Sequence, residues 1–254
     1  MRNTLWMTVT GGLLALAASG HAAIKATDLA VIEANAWRAR MGFHLLAIRG
    51  DNPEDRESLR ILLTEGEKDT AALQAEADPT NEKNAQALNA AWQDLAVRAM
   101  DNPLASLGYA DYAAMSEMNT RTLAVVALAD ETPDAASSPY LDIADLSVAM
   151  QRVASEYLAL AAFPSAGLPT GTGLEPMDFA KEAKQIDDAL VSLKTKYKDD
   201  ATASEVLAFV SQRWSFVRST VPTMNDAESK KVPYLFYRYV TQVAEHVEDL
   251  VQSR

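Results

Sequence analysis

The sequence predicts an all-α fold, with two up-down four-helix bundles in tandem behind a cleaved export signal. Three observations point to it. Only 10 glycines occur in 254 residues while alanine is abundant, which favours helix. β-branched residues do not gather into alternating runs, so no strand periodicity competes. Proline or glycine breaks recur at intervals of about 20 to 25 residues, the length of long bundle helices.

Residues 1–22 read as a signal peptide: Arg2 supplies the positive start, Leu5 to Ala18 an apolar stretch, and Gly20-His21-Ala22 small residues at the cleavage positions. The apolar run is about 14 residues, short of the roughly 20 that span a bilayer. The expected cut follows Ala22, with no membrane span after it and a periplasmic or secreted location.

The first helix is expected from about Ala26 to Ile48, stopped at Gly50. Asn52-Pro53 caps and opens a second, to about Ala77. Asp78-Pro79 repeats the device for a third, ending near Met100, and Asn102-Pro103 opens a fourth, to about Ala129. The segment 131–139, with Pro133 and Pro139, is the expected linker between a first unit (23–130) and a second (140–254). The fifth helix covers about Tyr140 to Ala162, and the loop Pro164 to Pro176 precedes a sixth from Met177 to Tyr197. Thr202-Ala203-Ser204-Glu205 fits a capping box for a seventh, ending near Pro222, and the eighth runs from about Ser229 to Gln252. Trp92 and Trp214 lie 11 and eight residues before the proline-marked breaks at Pro103 and Pro222, equivalent places that suggest duplication.

Composition narrows function. The chain has 23 basic and 35 acidic residues, a net charge of −12, which repels phosphate backbones and anionic lipid. Nucleic acid is therefore not an expected partner. Cysteine is absent, which removes disulfides, c-type haem attachment and thiolate metal sites.

The histidines are too few for hydrolase chemistry, and no Gly-x-Ser-x-Gly elbow occurs. Neither His44 nor His246 has the Glu-x-x-His spacing of carboxylate-bridged di-iron. Met41 or His44 with His246 would be needed to hold haem, and Met115 with Met118 to hold copper; core packing accounts for the methionine pair more simply. The sequence predicts no catalytic residue, no cofactor and no metal.

Two segments carry candidate binding residues. In the first helix, Trp37, Met41, His44 and Ile48 share a stripe, and Arg38 and Arg40 accompany it. Arginine's planar fork matches oxyanions and carboxylates, so Arg38, Arg40, Met41 and His44 are the expected ligand contacts. The competing reading is a surface arginine pair bonded to Glu33 or Asp55. In the last helix, Tyr234, Tyr237 and Arg238 belong to an aromatic stretch covering more than one face, and these three are the expected partner contacts.

Arg38-Ala39-Arg40-Met41, following Asn35, resembles the arginine–methionine motif of the PilJ-type N-terminal domain. This is a four-helix extracytoplasmic module of type IV pilus chemotaxis transducers and nitrate sensors. The resemblance implies that Arg40 contacts an anion between the first helices of two subunits, with Arg38 beside it. Trp37 stands where the family carries glycine.

The expectation is a non-enzymatic sensory or binding module for a small anion or a protein partner. That partner would be another periplasmic or inner-membrane protein, or a second copy of the chain. The alternatives are an interaction protein without small ligand and a haem- or metal-binding bundle.

Overall fold

Apolar residues recur on every side of the first helix, and the fold buries it on every side. In a computed structural model describing residues 24–107, 111–132, 135–162, 177–226 and 229–252, α1 (Ala26–Arg49) is the central element. Every residue from Ala34 to Leu46 is buried. The helix ends at Gly50, whose φ of 68° is left-handed and suits a residue without Cβ.

α2 (Pro53–Glu76) starts as its sequence dictates: the Asn52 side chain accepts from the backbone N–H groups of Glu54 and Asp55. α3 (Glu82–Met100) begins later than Pro79, because Asp78 caps a turn by accepting from Thr80 and Asn81. The fourth expected helix is two. A short α4 (Leu104–Leu107) is followed by α5 (Tyr112–Asp130), which Asp111 restarts by accepting from the Ala114 N–H at 3.1 Å.

α6 (Leu141–Ala162) and α7 (Phe179–Lys196) lie near their expected positions. α8 (Ala201–Val217) is capped by Asp200, which accepts from Ala203, and Thr202 lies inside the helix. A 3₁₀ turn, η1 (Arg218–Thr223), absorbs Pro222 and leads to α9 (Pro233–Gln252). Pro233 occupies the first helical position, where its missing N–H costs nothing. The expected signal peptide and the loop 164–176 lie outside the described residues.

All regular elements among the described residues are helices, apart from an isolated bridge between Lys25 and Ala136. There Ala26 donates to the Ala136 carbonyl at 3.0 Å and Ala136 donates to that of Ile24 at 2.7 Å, tying the connecting segment to the start of α1. No described helix is long and apolar enough to cross a membrane.

Neighbours repeat in order: α1, α2, α3 and α5 pack in the succession that α6, α7, α8 and α9 repeat, and α1 lies along α6. Two apolar clusters result. Leu29, Ile32, Ala36, Ala39, Phe43 and Leu46 of α1 meet α2, α3 and α5, while Ala30, Val31, Met41 and Leu45 join the core of α6 to α9. Trp92 sits in one cluster and donates to the Leu63 carbonyl at 3.0 Å; Trp214 sits in the other and donates to Asp187 at 2.8 Å.

Candidate functional site

Arg38 and Arg40 are two residues apart, so on an α-helix they point about 200° apart. The structure accordingly sends them to different places.

Arg40 enters the seam between α1, α5 and α6 and is fully buried. Its Nε donates to Asn119 Oδ1 on α5, and its Nη1 donates to Ser155 Oγ on α6 at 2.8 Å and lies 3.3 Å from Glu156 Oε1. Burial pushes the guanidinium pKa down and Glu156 opposes that shift. The charge is matched by a carboxylate that is itself only 2% exposed. Neither Glu33 nor Asp55 is its partner: Glu33 accepts from Trp37 Nε1 at 3.5 Å, and Asp55 pairs with Arg49 at 3.1 Å.

His44 follows Arg40 by one turn, and its Nδ1 lies 2.9 Å from the Arg40 carbonyl. A carbonyl can only accept, so Nδ1 carries the proton. Burial, then the Arg40 charge, pushes the imidazole pKa down to about 3, so His44 is neutral at physiological pH. Met41 is buried in the core shared with α6 and α9. Arg40, Met41 and His44 are thus sealed inside the molecule, and none of them lines the cleft that Arg38 floors.

Arg38 lies on the opposite face, only 8% exposed. Its Nη1 donates to Asn35 Oδ1 at 2.8 Å and its Nη2 to Glu245 Oε1 at 3.2 Å, with Glu248 at 3.9 Å. It floors a cleft of about 420 Å³ whose walls are α2 and α9. α9 contributes Tyr234, Tyr237, Arg238, Thr241, Gln242 and Glu245; α2 contributes Glu54, Asp55, Ser58, Ile61, Leu62 and Glu65. The arginine segment and the aromatic segment, almost 200 residues apart in sequence, therefore meet through Arg38, Tyr234, Tyr237 and Arg238.

The aromatic stretch divides by face, as helical spacing requires. Phe236 stacks inward on Tyr157 with ring centroids 4.6 Å apart, and Tyr239 stacks on Phe216 at 4.9 Å. Tyr234 carries the Arg49 guanidinium 4.6 Å above its ring, and Tyr237, its hydroxyl pKa raised by burial, lines the cleft.

Four carboxylates and two guanidiniums line this cleft, and the Arg49 guanidinium sits at its rim on Tyr234 and Asp55, which leaves a small excess of acid. Glu54, Glu65 and Arg238 make no ion pair among the described residues. Burial raises the carboxyl pKa of Asp55 despite Arg49.

The other candidates have simple roles. Met115 and Met118 are fully buried in apolar packing. His246 stacks on Phe209 with centroids 3.7 Å apart, while His44 bonds its own helix. No group of three or more His, Asp or Glu could hold a metal ion among the described residues.

Sequence reasoning missed Glu156, Glu54 and Glu65. Glu156 had a signal: it is the one acid within Val153-Ala154-Ser155-Glu156-Tyr157-Leu158-Ala159, and a carboxylate in such a run needs a buried partner. No family model, curated protein or solved structure matches the chain.

Proposed function

We propose that this protein is a non-enzymatic binding module acting outside the cytoplasm, with the α2–α9 cleft as its binding face and a protein partner as its ligand. One observation carries the reading: Arg38 meets Tyr234, Tyr237 and Arg238 in a concave site, combining aromatic and arginine groups of the kind favoured at interaction surfaces. A protein partner fits better than a small anion. Arg40 already has Glu156, and Arg38 has Glu245 with Glu248 nearby.

The same proposal includes a tandem origin: two four-helix units, 23–130 and 140–254, after a cleaved signal at 1–22. The repeated order of helix neighbours and the matched Trp92 and Trp214 support it. In the nitrate-sensing members of the PilJ-type family, which the α1 motif resembles, the anion lies between the first helices of two subunits; here α1 lies against α6, the first helix of the proposed second unit, and Arg40 meets the Glu156 carboxylate there.

Hydrogen exchange with and without a pool of 12-residue peptides of mixed charge tests the binding face. The expected result is slowed exchange in residues 54–65 and 234–245. Protection of 36–46 by nitrate, with none in the cleft, would transfer the site to Arg40.

A further inference from the structure

The cleft is one of two separate concavities along the α2–α9 trough. The second, of about 220 Å³, is lined by Lys25, Asp28, Asp69, Leu73, Glu76 and Gln252. α2 borders both, and its 24 residues span about 36 Å at 1.5 Å per residue, so a helix laid along it reaches from one concavity to the other. Burial first, then Glu65 and Asp28 against Lys68, raises the pKa of Asp69; burial, with Asp69 and Glu65 adding to it against Arg38, raises that of Glu248.

Apolar groups stand at the mouth beside this charge. Ile61 and Tyr234 line the cleft while 43% and 45% exposed, and Leu235 next to them is 44% exposed. The protein also shows how its rim receives a cationic side chain. Arg49 lies over Tyr234 and pairs with Asp55, one aromatic and one carboxylate for one guanidinium. Glu54 and Glu65 offer further carboxylates that form no ion pair among the described residues, in the cleft that Arg238 also lines.

Resting on the reading of the cleft as the binding face, we propose that the α2–α9 trough docks a basic amphipathic segment of a partner protein. The partner's Lys or Arg residues meet Glu54 and Glu65, and its apolar face meets Ile61, Tyr234 and Tyr237. This is helix-in-groove recognition with charge complementarity. A second copy of this chain is a poorer occupant, because it would bring its own excess of acid, 35 residues against 23.

Three labelled synthetic helices test this, each about 20 residues long and therefore about 30 Å. One is lysine- and arginine-rich and amphipathic, one is its glutamate counterpart, and one has the basic composition scrambled so that no apolar face forms. Fluorescence anisotropy measures affinity and hydrogen exchange locates the contact. The basic amphipathic helix is expected to bind most tightly, to protect 54–65 and 234–245, and to weaken with salt.

The pair Glu65→Lys with Tyr234→Ala should weaken it roughly five- to tenfold, the size of two or three exposed contacts. Asp94→Lys reverses an exposed charge on α3, the same change in net charge that Glu65→Lys makes, and should leave most of the affinity. Equal losses from the pair and from Asp94→Lys would mean that net charge alone attracts the peptide, and the proposal falls. Protection of the cleft by the glutamate helix overturns the basic partner but keeps the binding face. Absence of protection there with all three helices overturns both.

Discussion

Arg38 and Arg40 share one helix and one short motif, yet they inhabit opposite environments. Arg40 is enclosed by Asn119, Ser155 and Glu156 at the contact between α1, α5 and α6. Arg38 floors a cleft and pairs with Glu245, which is largely exposed. The difference teaches that a guanidinium's role follows from its angular position on the helix. Arg40 joins elements of the core that are 79 and 115 residues away, whereas Arg38 shapes a surface.

The largest effect expected from breaking this contrast is at Arg40. Arg40→Met leaves Glu156 buried without its cation and should cost about 3–5 kcal/mol, the scale for orphaning one member of a buried pair. Adding Glu156→Leu should recover a large part of that loss. Urea denaturation of the two single variants and the double variant measures the coupling.

Protonation tests the same side of α1. The folded-state pKa of His44 lies near 3, below its ordinary value of 6.5, so between those limits the unfolded chain binds more protons. Stability from neutral His44 is complete above about pH 6.5 and drains away as pH falls toward 3. Glu33, on the same face of α1, behaves oppositely. Burial, then Asp130, raises its pKa from 4.5 to about 7, so its contribution is present below pH 4.5 and lost as pH rises through 7. Glu33→Gln should therefore stabilise the protein at pH 8, by about 1–2 kcal/mol after allowing for its partial exposure. Melting temperature against pH for wild type and variant checks the sign.

Arg38→Gln should cost less than Arg40→Met, about 1 kcal/mol, because Glu245 can turn to water. Tyr234→Ala should be smallest, about 0.5–1 kcal/mol for an exposed guanidinium–ring contact. If Arg38→Gln cost as much as Arg40→Met, the cleft would be part of the core and the contrast would fail.

Much of the local structure was legible. Gly50 and Asn52-Pro53 locate the end of α1 and the start of α2, because caps act within one or two turns. The division between α4 and α5 and the Asp200 cap were not found, since competing cap residues lay a few positions away.

At the candidate cleft, Arg38, Tyr234, Tyr237 and Arg238 come together, while Arg40, Met41 and His44 lie inside the core. Arg38 and Arg40 were read as neighbours, although helical angles alone place them apart. Glu156 meets Arg40 only across 116 residues, and Glu54 and Glu65 join Tyr234 and Arg238 only through the packing of α2 beside α9, which no local pattern encodes.

The most direct test of the claim that Arg40 is internal and the cleft is the binding face follows individual arginine Nε–H resonances by NMR. Nitrate and the basic amphipathic helix are titrated separately. The expected result is that the helix shifts Arg38 and Arg238 while Arg40 stays fixed with either titrant. Movement of Arg40 on adding nitrate, with Arg38 and Arg238 unmoved by the helix, would contradict it.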